Sequence, residues 1–296
     1  MTAQLTFVHA LSPLHAGIGQ GAGVIDLPIA REKATGLPFL PGSSLKGALR
    51  ALCVDENTRK KVFGPDTASS DANSDYASSI QFSDQRLLLL PIRSLAGTFA
   101  WVTSPYVLRR LVRDLRDIQL SPPASIPDPK QYEDCYIDKN KSKIKITQRN
   151  NTKVYLEDLD LTPQNEDVVA WATWIGQKLF SEPDWQRMLA ERFCVIHDDV
   201  FNFLVDTAME ITTRIKLKEN TKTVDTDTGG LWYEEALPVE TVLHGFALAT
   251  PVGAVKMTSQ EVFAKLMELT NKAVQLGGKA TVGRGICRVQ MVQGGA

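Results

Sequence analysis

Four glycines at alternate positions, Gly17, Gly19, Gly21 and Gly23, run into Val24-Ile25-Asp26-Leu27-Pro28, and this stretch constrains the N-terminal part of the fold most. Pro28 would fall inside any helix that the glycines opened, so the segment from His15 reads as an irregular loop. That argues against a dinucleotide-binding turn, although Gly17, Gly19 and Ala22 formally satisfy G-x-G-x-x-A, because the motif must open a helix directly after its strand. The Walker pattern fails as well, since Lys46 is followed by Gly47 and Ala48. What remains is backbone able to approach a ligand closely and one acid among apolar residues, Asp26. A Pro-Gly-Ser-Ser turn then opens a helix carrying Lys46 and Arg50. A serine-opened helix N-terminus presents N–H groups to anions, which makes Ser43, Ser44, Lys46 and Arg50 candidate phosphate ligands beside a carboxylate. A surface loop without chemistry is the competing reading.

With 296 residues, 43% of them hydrophobic, the chain can bury a substantial core as one elaborated domain or two. Its net charge of −1 supplies no global field for nucleic acid, so any basic surface is local. Arg31 to Lys61 holds seven Lys or Arg against three acids, and Asn271 to Ala296 holds four against none. Two such patches form one groove if the two ends of the chain meet. Cys53, Cys135, Cys194 and Cys287 have no C-x-x-C spacing, which argues against structural zinc and against a disulfide scaffold. No apolar run is long enough to span a membrane, and no signal peptide is evident, so the expected location is cytoplasmic.

Periodicity predicts a strand at Leu5 to Leu11, a helix from Ser43 to Val54, and strands around Leu87 to Leu90 and Thr98 to Val102. Ser104-Pro105 starts a helix through Asp117, and Ser69 to Ser79 reads as a polar linker. Further on, Lys143 to Leu156 alternates as a strand, while Asp167 to Phe180 and Glu182 to Phe193 are helical. Their Trp171, Trp174 and Trp185 are expected in the core. His197 with Asp198 and Asp199 reads as a helix start in preference to a metal site. Thr241 to Ala249 is a strand, Ser259 to Leu276 an amphipathic helix capped by Ser259, and Ile286 to Val292 a last strand. The order fits an α+β class with a split βαβ, ferredoxin-like core. Thr212 to Leu231 reads as a protruding hairpin with Arg214 and Lys216 on its first arm.

The block HAGIGQGAGVIDLPIAREKATGLPFLPGSSLKGALR, the segments TTRIKLKENTKTV and LWYEEALPVET, and the terminal GGKATVGRGICRV together resemble the repeating backbone subunits of type III-B (Cmr) CRISPR effector complexes, in the RAMP superfamily. The run Trp232 to Pro238 favours that type over the related Csm complex. The resemblance implies a ferredoxin-like (RRM-like) palm, a mostly helical fingers insertion and a β-hairpin thumb. In those terms 1–102 is the first part of the palm with a catalytic loop, 103–205 the fingers, 206–240 the thumb and 241–296 the second part of the palm. It further implies a subunit that binds CRISPR guide RNA, stacks with copies of itself and with other Cmr subunits, and cuts complementary target RNA at regular intervals. By position Asp26 matches the catalytic aspartate. Ser43, Ser44, Lys46 and Arg50 match the guide-holding helix start, and Gly277, Gly278, Lys279, Gly283 and Arg284 match the terminal glycine-rich loop.

RNA cleavage beside a 2′-hydroxyl needs in-line alignment and stabilisation of developing charge. A single carboxylate completes such a site by holding a divalent metal ion, Mg2+ or Mn2+, or by accepting the proton. Magnesium often uses one or two carboxylates plus substrate phosphates, so Asp26 alone suffices as a candidate ligand. His15 is a second catalytic candidate, with a structural strand-end histidine as its alternative. Glu234 and Glu235 follow the thumb and are expected to be solvated, with metal binding the competing reading. Trp232 and Tyr233 suit either base stacking or packing of the hairpin. A structural RNA-binding backbone, with Asp26 only shaping its loop, is the rival function.

Overall fold

The computed structural model describes residues 2–21, 23–65, 77–149, 151–164, 168–218, 220, 221, 223, 224, 230–252 and 257–294. β1 (Thr2–Ala10) leads through the glycine-rich loop to β2 (Phe39–Leu40), α1 (Gly42–Leu52), α2 (Glu56–Phe63), β3 (Ile80–Phe82), β4 (Gln85–Arg93) and β5 (Phe99–Thr103). Next come α3 (Pro105–Asp117), β6 (Asp134–Tyr136), β7 (Lys145–Gln148), β8 (Asn151–Leu156), β9 (Leu159–Pro163), α4 (Val169–Leu179), α5 (Pro183–Arg192), β10 (Phe193–Ile196) and α6 (Asp198–Thr207). β11 (Glu210–Ile215) and β12 (Leu231–Ala236) pair as a separate hairpin. β13 (Val242–Ala249), α7 (Ser259–Leu269), β14 (Val274–Gln275) and β15 (Ile286–Gln293) follow.

Strands from both ends of the chain interlock in the order β15-β1-β13-β4, every neighbouring pair antiparallel. α1 lies between β1 and β4 in sequence and α7 between β13 and β15, and the two helices touch. Each end of the chain thus supplies one inner and one outer strand, so neither half completes the sheet alone. Cross-strand register puts Phe7, His244 and Arg86 on one face, because directly paired residues share a side. That face is covered by α4, whose Trp174 meets Phe7 edge-on at 6.4 Å, and by α3, whose buried Asp114 pairs with Arg86.

The middle of the chain is more mixed than the mostly helical insertion expected there. Among the described residues it holds α3 to α6 and also β6 to β10, and these strands continue the same sheet beyond β4 and β5. The reason is backbone satisfaction. Short β-prone runs such as Phe193-Cys194-Val195-Ile196, buried throughout, can pair their N–H and C=O groups only by joining an existing edge. Lys143 to Leu156 divides into β7 and β8, paired antiparallel.

Other local expectations change for identifiable reasons. α1 starts at Gly42 with Pro41 as N-cap and no side-chain cap, so Ser43 and Ser44 lie in its first turn and do not cap it. α7 ends at Leu269, and its cap is Thr258, which forms a reciprocal capping box with Glu261. His197 caps α6, its Nδ1 accepting from Asp199 N at 3.2 Å, as expected of a helix start. Trp171 is fully buried and Trp174 partly buried, whereas Trp185 sits at the surface stacked on Phe180. Of the linker, residues 69–76 lie outside the described residues; Ser79 is buried and donates to Lys61 O. No described helix is long and apolar enough to cross a membrane.

Candidate active site

The loop carrying Asp26 is built onto the hairpin strand β12. Leu27 N donates to Tyr233 O at 3.1 Å and Glu235 N donates to Leu27 O at 3.0 Å, a parallel bridge between loop and strand. One residue earlier, Tyr233 N donates to Asp26 Oδ2 at 2.8 Å. The carboxylate is otherwise exposed. Sequence alone assigns Asp26 no structural partner; the structure provides a backbone one. Glu235, buried behind this bridge, accepts from Ile29 N at 3.0 Å and from Arg31 Nη2 at 2.7 Å, so the loop is held on both sides of Leu27.

His15 is buried at the centre of the same junction. Its Nδ1 lies 2.7 Å from Glu235 O, and because a carbonyl only accepts, that nitrogen carries the proton and donates. The ring fills the space beside Gly17, where a Cβ would stand 2.4 Å from Nε2; this is what a glycine at position 17 makes possible. Gly278 N donates to His15 O at 2.9 Å. One histidine therefore joins the glycine-rich loop, the hairpin and the terminal loop.

Between them opens a cleft of about 490 Å³ lined by Gln20, Gly21, Asp26, Leu27, Leu231, Trp232 and Lys279. The floor is organised by Glu234, which is buried and accepts from Lys279 Nζ at 2.8 Å, Trp232 Nε1 at 2.9 Å and Arg214 Nε at 3.2 Å. Burial alone would raise its pKa, but the hydrogen bonds from Lys279, Trp232 and Arg214 outweigh it and bring Glu234 down to about 2. Both glutamates thus depart from the expected solvated state. The signal missed is strand alternation: Arg214 pairs with Trp232 and Thr212 with Glu234, which puts Arg214, Trp232 and Glu234 on one face. The opposite face carries the buried Glu235 and leaves Ile211, Ile215 and Leu231 exposed.

The remaining predicted residues are placed as follows. Gly42 N, at the start of α1, donates to Asp84 Oδ1 at 2.9 Å, so a carboxylate already occupies part of that helix terminus. Ser43 is exposed and Ser44 half-buried. Lys46 Nζ donates to Ser78 Oγ at 2.7 Å, and Arg50 Nη1 to Gly64 O at 2.6 Å. α1 packs against β14, which opens the terminal loop containing Gly277, Gly278, Lys279 and Gly283. Lys216 is exposed on the hairpin, while Arg284 is buried and directed at the hairpin's base. Among the described residues no three His, Cys, Asp or Glu side chains cluster as a metal cage. Asp26 keeps one oxygen beyond its bond to Tyr233 N, a donor set that fits a magnesium-like ion only where substrate oxygens and water supply the remaining ligands.

The RAMP superfamily profile matches residues 7–288, and the chain belongs to that superfamily. Within it the chain is similar over nearly its whole length to the CRISPR system Cmr endoribonuclease Cmr4 of Pyrococcus furiosus, 34% identical over 98% of this chain and 96% of the relative. The CRISPR system CMR subunit Cmr4 of Saccharolobus solfataricus is 26% identical over 96% of this chain and 94% of its own length. In three dimensions the crystal structure of oligomeric Cmr4 from Pyrococcus furiosus superposes with a TM-score of 0.73 at 28% identity, covering 100% of both chains. A chain from the Type III-B Cmr-beta complex bound to cognate target RNA shares the fold, with a TM-score of 0.72 at 21% identity over 98% of this chain and 97% of its own.

Proposed function

We propose that this protein is the RNA-guided endoribonuclease subunit of a type III-B CRISPR complex, binding guide RNA, stacking with its own copies and other Cmr subunits, and cutting complementary target RNA at regular intervals. The observation that carries this reading is the exposed carboxylate of Asp26, fixed by a backbone N–H of the hairpin strand β12. In this reading the β15-β1-β13-β4 unit with α1 and α7 is a ferredoxin-like palm, the middle of the chain the fingers, and β11-β12 the thumb. The palm's two parts are 1–102 and 241–296, the fingers 103–205 and the thumb 206–240. The subunit works in the cytoplasm.

The thumb separates guide from target, and the splayed target nucleotide enters the cleft beside Asp26. Splaying supplies the in-line geometry; Asp26 accepts the 2′-hydroxyl proton or holds the metal. A divalent ion, bound through Asp26 and target phosphates, would supply charge stabilisation at the scissile phosphate. Ser43, Ser44, Lys46 and Arg50 on α1, with Gly277, Gly278, Lys279 and Gly283, hold guide phosphates, while Arg214 and Lys216 face the duplex at the thumb. His15 fixes the loop through Glu235 and Gly278.

One observation favours a second reading, that of a non-catalytic backbone subunit: the bond from Tyr233 N gives Asp26 a structural task of its own. The test is cleavage mapping with assembled complexes on guides of different length, with and without divalent metal. Cuts at one fixed spacing whose number tracks the copies of this subunit support the proposal. An uncut target, or cuts whose number ignores copy number, supports the backbone reading.

A further inference from the structure

Arg284, matched by position to the terminal glycine-rich loop, is only 6% exposed. Its Nη1 donates to Glu210 Oε1 at 3.0 Å and its Nη2 to Thr212 Oγ1 at 2.7 Å, while Nε, also buried, meets no acceptor among the described residues. Glu210 and Thr212 lie on β11, at the root of the hairpin. A buried guanidinium spending two of its nitrogens there would have to break both bonds to reach a phosphate.

The backbone that presents Arg284 is fixed from both sides. Gln275 Nε2 donates to Arg284 O, Arg284 N donates to Lys279 O at 3.3 Å, and Gly285 N donates to Pro13 O at 2.8 Å. Gly285 itself has a φ of +75°, and a Cβ there would stand 1.9 Å from Leu276 O. The guanidinium therefore projects from a backbone held by hydrogen bonds on both sides onto one strand of the hairpin. The other strand, β12, is already bridged to Leu27. β11 has its own tether to the palm here.

We propose that Arg284 is a positioning residue that latches the root of β11, through Glu210 and Thr212, to the terminal loop and so sets the direction in which the hairpin leaves the sheet. It contacts protein and not RNA. The consequence for cleavage rests on the proposed thumb function, whereas the latch itself does not.

Hydrogen exchange on the full chain tests the latch directly. Arg284→Gln should speed exchange of the β11 amides by about tenfold or more while β1 and β13 keep wild-type protection. Thr212→Val, which removes one bond only, should give a smaller increase and serves if Arg284→Gln fails to fold. The charge-reversed pair Glu210→Arg with Arg284→Glu should restore protection that either single reversal loses. In the assembled complex the same variants should slow target cleavage by about tenfold while the salt dependence of guide binding keeps its wild-type slope. A salt slope flattened by about 0.7 with β11 protection unchanged would identify a phosphate contact and overturn the latch. Failure of the reversed pair to restore protection would overturn it as well. Faster β11 exchange with cleavage unchanged would uphold the latch and count against the thumb reading.

Discussion

Asp26→Asn separates chemistry from scaffolding at the one position where the two readings of this protein collide. The wild-type carboxylate accepts from Tyr233 N at 2.8 Å, and an asparagine amide oxygen can accept the same bond, so the loop keeps its anchor while losing its charge. Asp26→Ala loses both. A net hydrogen bond is worth about 1 kcal/mol, so Asn should leave stability and guide binding nearly unchanged, with Ala costing about 1 kcal/mol. Loss of a general base costs about 10²–10⁴-fold in rate, or roughly 3–5 kcal/mol of barrier. Cleavage should therefore fall by at least about 100-fold in both variants, well beyond what the stability change explains. The assay is single-turnover cleavage by the assembled complex, with target affinity measured by filter binding and stability by thermal melting. Asn cleaving within about twofold of wild type while Ala fails would refute the catalytic assignment and leave the Tyr233 bond as the reason for the aspartate.

Glu234 ionises near pH 2 in the folded chain against an ordinary 4.5, so the stability it contributes is present above about pH 4.5 and lost as pH falls towards 2. Acid titration of unfolding should show a loss of up to about 3 kcal/mol in wild type over that window that is missing in Glu234→Gln. Gly285→Ala should destabilise by about 4 kcal/mol or prevent folding, because the added methyl meets backbone, whereas Gly23→Ala, with nothing within 4 Å, should melt like wild type. Lys46→Ala or Lys279→Ala should weaken guide binding for every sequence and flatten its salt slope by about 0.7 per lost contact; losses confined to particular bases would contradict phosphate binding.

How far this fold can be read from sequence follows from where periodicity survives. β1, β4, β13 and β15, with α1 and α3, carry long apolar repeats and stand within a few residues of the spans predicted, whereas α7 starts as predicted but ends at Leu269, well short of Leu276. The overruns have local causes. Leu276 extends the apparent repeat of α7, yet after Leu269 the chain turns and Val274-Gln275 pairs with β15. The middle resists reading because its strands are three to six residues long and some of them pair with partners distant in sequence, as β10 does with β5. At the site, Asp26, His15 and the two glycine-rich loops stand out by residue type. The roles of Glu234, Glu235 and Arg284 do not, because a charged residue on a hairpin reads as solvated until its partner from elsewhere in the chain is known. Arg284 finds Glu210 across 74 positions, a pairing to which no local pattern points.

The use of β12 explains why so many of these partners are long-range. Within Tyr233-Glu234-Glu235, backbone groups hold Asp26, Leu27 and His15, while the two side chains turn to opposite faces. Glu234 gathers Lys279 and Arg214, and Glu235 gathers Arg31 and Ile29 N. The strand that carries the hairpin is thus also the wall of the cleft. A displacement of β12 by one residue would bring Tyr233 or Ala236 to the place of one glutamate, leaving Lys279 without its carboxylate or Arg31 without its buried one. Two buried carboxylates, one on each face, thus help to fix the register, while Ile211, Ile215 and Leu231 stay exposed. The carboxylate of Asp26 inherits its position from this register, so whatever holds the hairpin in place also aims the group proposed to act on RNA.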